Sequence, residues 1–328
     1  MARVFIDGFE HGSYALWETT SGSVGSITCP TPPSGMIGSY CCLIGGNYFI
    51  RKTLAAASSR YISWKYKYAD GNSVAILTLY SGPTVMCYLK RDAATGYLKA
   101  YTGSGTLIAT GTNVIATDAV YRMELYYYVH DTAGRFWLKL NDTTEIDFTG
   151  DTKPGTETTF NFLNFGYGGP GDNGSCYIDD VIIDDAAFPG ATFIQRIGPA
   201  AAGNSSQWTP STGDNYTCVD ETPPSDTDYV YTNTVNNVDT YAPNDLSLTV
   251  SNIRCVQVQC RIRRSNMATP VNARPVIRSA GTDYTVADKP IPYRVGYIDQ
   301  IWALDPADSQ PWTAAKINAI EIGIKAVT

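Results

Sequence analysis

The chain has 328 residues, only 17 % of them charged; it holds 23 tyrosines, 29 glycines and 18 prolines and carries a formal net charge of −7. That length suffices for two domains with proper cores, and the composition leans toward strands and turns. An acidic balance without a basic patch speaks against nucleic acid as a partner, and apolar runs far shorter than ~20 residues exclude a helical membrane span.

The opening segment, MARVFIDGFEHG, lacks the apolar stretch of a secretory signal, so the sequence predicts synthesis in a cytoplasm rather than secretion. It also holds an acidic cluster, Asp7 and Glu10. Eight cysteines follow no disulfide spacing and read as reduced, mostly buried thiols.

Alternation then predicts a series of strands. YISWKYKY places Ile62, Trp64, Tyr66 and Tyr68 on one face and Ser63, Lys65 and Lys67 on the other. YRMELYYYVH groups Met123, Leu125, Tyr127 and Val129, and RFWLKLND groups Phe136, Leu138 and Leu140. Turn signals recur between these runs and no helical period persists, which predicts an antiparallel sandwich. The outward Tyr126 and Tyr128, with Tyr61 on another strand, form a candidate glycan-facing platform, because aromatic faces stack on sugar rings; packing against a second layer is the competing reading.

TTEIDFTG is the candidate catalytic strand. Alternation puts Glu145 and Asp147 on one face, as a retaining glycosidase would require of a carboxylate pair ~5 Å apart. The segment resembles the strand motif of retaining glucanases on the concanavalin-like fold, which implies a second Glu after Asp147; here Thr149 and Gly150 stand in its place. The segment therefore reads as an outward polar face. Neither histidine, His11 or His130, has a metal-ligand spacing, and no nucleophile motif is present. The sequence predicts no enzyme.

CYIDDVIIDD, residues 176–185, reads as a strand with carboxylates in apolar company. Strict alternation places Cys176, Ile178 and Ile182 with Asp180, and Tyr177, Val181 and Ile183 with Asp179. A buried carboxylate needs a cation or several donors. Here a resemblance enters: DGFEHG near the start and CYIDDVII near the end look like the bookends of jelly-roll domains of the carbohydrate-binding, laminin-G and concanavalin type. That resemblance implies a structural calcium held by Glu10 with Asp179 or Asp180, and Asp7 as a further candidate.

Pro-, Gly- and Ala-rich sequence after Asp185 marks a boundary, giving domains 1–189 and 190–328. The second domain resumes alternation in NIRCVQVQCRIRR and ends in the strand IEIGIKAV, preceded by a short helix that Thr313 would cap. The order of QWTPSTGDNYTCVDE, IRCVQVQCRIRR, RPVIRSAGTDY and DPADSQPWTAAKINAIEIGIKAV resembles a module of tailed-bacteriophage virion proteins. The fold expected is all-β: two consecutive antiparallel, jelly-roll-like sandwiches with one short C-terminal helix. The resemblance implies a non-enzymatic virion component, a capsid decoration or tail-attached subunit. Its expected partners are other virion proteins and copies of itself. The alternative is a carbohydrate-binding adhesin recognising host-surface glycans; a glycan hydrolase is the weaker alternative.

Overall fold

The structure, a computed structural model, describes residues 3–19, 27–70, 74–166, 174–265 and 270–328. It is nearly all β and divides into two compact units, Met1–Ile194 and Gln195–Thr328. The expected boundary at 189/190 lies within the first unit. The reason is local: the Gly190 amide donates to Glu124 at 2.7 Å and the Ile194 amide to Asp180 at 2.7 Å, so residues 185–194 are laced onto the first unit's sheet.

In chain order the first unit begins with β1 (Arg3–Asp7), β2 (Glu18–Thr19), β3 (Ile27–Thr28), β4 (Cys42–Ile44) and β5 (Phe49–Ala57). It continues with β6 (Ser59–Tyr68), β7 (Val74–Ser81), β8 (Thr84–Arg91), β9 (Tyr97–Thr102) and β10 (Leu107–Val114). It closes with β11 (Val120–Tyr128), β12 (Gly134–Leu140), β13 (Thr143–Gly150), β14 (Phe160–Gly166) and β15 (Cys176–Asp184). An eight-stranded antiparallel sheet runs β13-β12-β11-β6-β15-β4-β3, with β1 beside β15. A seven-stranded sheet runs β10-β9-β8-β7-β14-β5-β2. Their inner faces meet in one core. Trp64, Tyr66, Leu125, Tyr127 and Phe136 come from the first sheet, and Ile50, Leu77, Leu79, Leu89, Leu163 and Phe165 from the second. The alternation read from β6, β11 and β12 is the alternation of this core.

Strand β15 departs from strict alternation. Asp180 has φ of 48°, and the register with β6 shifts between Asp179 and Ile182. A residue in the left-handed region forms a bulge, which resets the side-chain period. Val181 and Ile183 therefore join Cys176 and Ile178 in the core, where two-residue alternation had set them apart. The bulge also sits where β15 changes neighbour. Its first half, Cys176–Ile178, pairs with β4, and its second half, Val181–Asp184, pairs with β1.

The second unit comprises β16 (Pro199–Ser206), β17 (Thr209–Pro210), β18 (Val230–Tyr231), β19 (Val238–Pro243) and β20 (Val256–Ile262). After these come β21 (Asn272–Ser279), β22 (Thr282–Thr285), β23 (Lys289–Pro290), β24 (Gly296–Trp302) and β25 (Glu321–Val327). The main sheet runs β16-β19-β25-β21-β22, with β23 on β21, and a β20-β24 ribbon lies apart from it. Val258 and Trp302 of the ribbon pack with Ile277 of the sheet and with Trp312, Ile317 and Ile320. The short helix α1 (Ala314–Ile317) starts as expected: Thr313 accepts the Lys316 amide through its hydroxyl at 3.3 Å. Asp239 is fully buried and is met by four donors: the amides of Gln207 and Trp208, the Asn215 side chain and the Tyr241 hydroxyl.

Candidate functional site

The inner residues of the seven-stranded sheet are spent on the core, so the alternate positions face outward. Antiparallel sheets commonly present a polar, solvated face on that side. This face is instead rich in aromatics, and it holds two buried polar side chains. Register aligns one transverse row across the sheet: Glu18, Arg51, Asn164, Thr78, Tyr88 and Tyr101. A second row sets Thr53 beside Phe162 and Phe162 beside Tyr80.

The two rows interlock. Tyr80 and Phe162 stack with centroids 4.7 Å apart, and Tyr88 stacks on Tyr101 at 4.8 Å. The Arg51 guanidinium lies 4.3 Å from the Phe162 ring, 5.2 Å from Phe49 and 5.7 Å from Tyr80. Its Nε donates to Asn164 Oδ1 at 3.0 Å. Asn164 and Thr78 are 1 % and 0 % exposed, and among the described residues neither Asn164 Nδ2 nor Thr78 Oγ1 has a hydrogen-bond partner. Leaving a buried polar group unpaired costs about 1–3 kcal/mol, so each such group calls for a completing partner, be it a water, an ion or a ligand. Arg51, Asn164 and Thr78 are successive members of one row.

The tyrosines expected to form a glycan platform lie on the other sheet. Register does bring Tyr61 and Tyr126 together, with rings 4.5 Å apart, but Phe188 from the 185–194 segment packs edge-on against Tyr61 at 5.0 Å. Trp137 meets the same Phe188 at 5.0 Å and Lys139 lies over it at 4.2 Å. Phe188 thus occupies part of this face. Tyr128 stands apart, against His130 at 5.7 Å.

The candidate catalytic pair is dispersed. The β12–β13 register shifts between Leu138 and Lys139, and Glu145 occupies the resulting bulge. Its carboxylate is buried and accepts the Asn113 amide at 2.9 Å, whereas Asp147 forms a two-pronged pair with Arg135 at 3.0 Å on each arm. The expected outward EID face is thus corrected: Glu145 turns toward β10 and only Asp147 faces solvent.

The aspartates of β15 find separate partners. Asp180 pairs with Lys65 Nζ at 2.7 Å and accepts the Ile194 amide. Asp184 lies 3.5 Å from Arg3 and accepts the Ala186 amide at 2.8 Å. Asp7 is completed by the Phe9 amide at 2.8 Å and the Trp17 indole at 2.7 Å. Asp179 accepts the Asp180 amide on one oxygen, while Oδ2 has no hydrogen-bond partner. Burial first, then the neighbouring Asp180 charge and Glu10, push its carboxyl up to about 9. Glu10 accepts the Ser39 amide at 2.8 Å. Of the expected calcium ligands, Glu10 and Asp179 therefore act on each other, whereas Asp180 and Asp7 are engaged elsewhere. Among the described residues no three His, Cys, Asp or Glu side chains gather as a metal-binding group. Among the described residues no disulfide joins the cysteines, and burial pushes the thiols of Cys41, Cys176 and Cys260 up to about 12.

No protein family matches the sequence, and no curated protein matches it. Solved structures are similar to part of this chain at low identity. Cellulose induced protein Cip1 is 16 % identical with a TM-score of 0.45, over 57 % of this chain and 100 % of its own. Domain 4 of AbnA, an extracellular arabinanase from Geobacillus stearothermophilus solved with arabinotriose, is 16 % identical with a TM-score of 0.42, over 55 % of this chain and 91 % of its own. Alginate lyase Aly36B is 10 % identical with a TM-score of 0.35, over 52 % of this chain and 88 % of its own.

Proposed function

We propose that this is a non-enzymatic carbohydrate-binding protein whose first unit takes a saccharide on the outward face of the β10-β9-β8-β7-β14-β5-β2 sheet. One observation carries the reading: the row Arg51–Asn164–Thr78–Tyr88, where two buried polar groups lack partners beside stacked aromatics. Sugars offer hydroxyls to such groups and apolar ring faces to such aromatics. Binding rather than hydrolysis is supported by the fate of Glu145 and Asp147, which are held by Asn113 and Arg135 and share no site. A structural calcium, part of the same reading, would be held by Glu10 and Asp179 and would add rigidity rather than chemistry.

The test is a glycan array followed by calorimetry on each hit. Tyr88→Ala and Tyr80→Ala should weaken binding, while Tyr126→Ala, on the opposite sheet, should not. Loss on Tyr126→Ala alone would move the site to the other face, and turnover of a bound glycan would end the non-enzymatic reading.

A second reading, a virion subunit that docks through the second unit, is favoured by one observation. Of the nine exposed large apolar side chains among the described residues, six lie in that unit: Tyr229, Tyr231, Leu248, Tyr293, Val295 and Leu304. Exposed apolar side chains favour association. Under it, assembly into a capsid or tail with other virion proteins and with copies of itself would place the saccharide-binding unit toward host glycans. Co-sedimentation with purified phage particles, lost on Tyr229→Ser with Tyr231→Ser, would support it; no association with any particle would remove it.

A further inference from the structure

We infer that the saccharide carries a carboxylate, a uronic-acid residue, and that Arg51 with Asn164 receives it. The inference rests on the saccharide reading above and narrows it. Arg51 Nε is committed to Asn164 Oδ1 at 3.0 Å, which fixes the plane of the guanidinium against the Phe162 ring. Arginines held between rings keep their fork preorganised, so little side-chain freedom is lost when an anion arrives. Among the described residues no carboxylate pairs with Arg51. Glu18, its cross-strand neighbour, instead accepts the Thr53 hydroxyl at 2.8 Å.

A planar fork matches a carboxylate with two parallel N–H···O bonds. Next to it on the row, Asn164 Nδ2 is a buried donor without an acceptor, and Thr78 Oγ1 beyond it is likewise unpartnered. A carboxylate on Arg51 would bring an acceptor oxygen to Nδ2. The neighbouring ring hydroxyls of the same sugar would reach Thr78, and the pyranose face would lie along Tyr80 and Tyr88. Lys90 and Lys99 lie opposite each other on the same face, with Lys99 paired to Asp92 at 2.7 Å. A neutral glycan would leave both Arg51 and the Asn164 donor without a matching acceptor of equal strength.

The experiment is isothermal calorimetry of the full chain with oligosaccharides of polygalacturonate, alginate and hyaluronan. Each is paired with its carboxyl-reduced counterpart, and a sulfated neutral glycan serves as a further arm. A uronate should bind, and reduction of its carboxyl should weaken binding roughly ten- to hundredfold, the range of hydrogen bonds to charged groups. Arg51→Lys, which keeps the charge but loses the fork, and Asn164→Asp, an isosteric change that adds a repelling charge, should each cause a loss of similar size. Their melting temperatures verify folding. Glu18→Gln should tighten binding by removing the cross-strand carboxylate beside Arg51. Equal binding of the reduced polymer, unaffected by Arg51→Lys, would overturn the carboxylate assignment while leaving the saccharide reading standing. So would equal or tighter binding of the sulfated glycan. Absence of binding to every saccharide, charged or neutral, would overturn both.

Discussion

At the residue scale the buried acids of β15 show how one short motif divides its labour. Asp180 is paired with Lys65 and Asp184 with Arg3, while among the described residues no ion pair is formed by Asp179. A carboxyl whose folded-state pKa is raised to about 9 from 3.8 binds a proton in the folded protein that the unfolded chain has already released. Stability contributed by that proton is full below pH 3.8 and declines as pH rises toward 9. In chelator, thermal melts should therefore fall steadily in melting temperature across this window, and Asp179→Asn should flatten the decline and stabilise the protein at pH 8. Calcium added at pH 8 should raise the melting temperature of the wild type and not that of Asp179→Asn, should Glu10 and Asp179 hold the ion. The Lys65–Asp180 pair has a different signature. Lys65→Met would leave Asp180 buried and uncompensated, costing about 3 kcal/mol. Adding Asp180→Asn should recover most of that loss, because Asn tolerates the left-handed backbone of the bulge. Chemical denaturation of the single and double variants gives both numbers.

At the element scale, periodicity made the strands legible and bulges marked where it stopped. Ile62, Trp64, Tyr66 and Tyr68 are 0 %, 0 %, 0 % and 1 % exposed, as their spacing in β6 predicts. Thr313 was equally legible as a cap, because capping is written in adjacent residues. Asp180 and Glu145 were not, since a bulge reverses every later side chain and has no sequence signature in an Asp or a Glu. The candidate site escaped for another reason. Its fragments, Phe49-x-Arg51, Thr78-x-Tyr80 and Phe162-x-Asn164, each show the right alternation. They come together only because β14 inserts between β5 and β7, with Asn164 113 residues from Arg51 in sequence. Nothing local reports that insertion. Tyr61 and Tyr126, each read as outward on its own strand, are brought together by register, but Phe188, which packs on Tyr61, arrives from a segment that reads as a linker. Glycine is equally position-bound in β25. A Cβ on Gly323 would stand 1.9 Å from the Asp239 carbonyl of β19. Gly323→Ala should therefore force β19 and β25 apart and unfold the second unit, seen as new proteolytic cuts confined to residues 195–328.

At the scale of the whole molecule, the first unit carries a complete core and the entire candidate site. A fragment ending at Ile194 should fold cooperatively and bind the same saccharide as the full chain, checked by melting and calorimetry; a fragment ending at Pro189 should be less stable. It would forfeit the Gly190 and Ile194 amides that satisfy the buried Glu124 and Asp180. The second unit has the opposite character. β25 lies between β19 and β21, pairing with both, yet it is translated after either of them. While the ribosome is still making residues 280–320, two strands destined to flank a third wait with open hydrogen-bonding edges, and they can mispair with each other or with a neighbouring nascent chain. Stalled nascent chains should therefore show a protected first unit beside a protease-sensitive second one. Overexpression at high temperature should yield aggregates seeded from β19 and β21, relieved by slowing synthesis rather than by altering the mature fold.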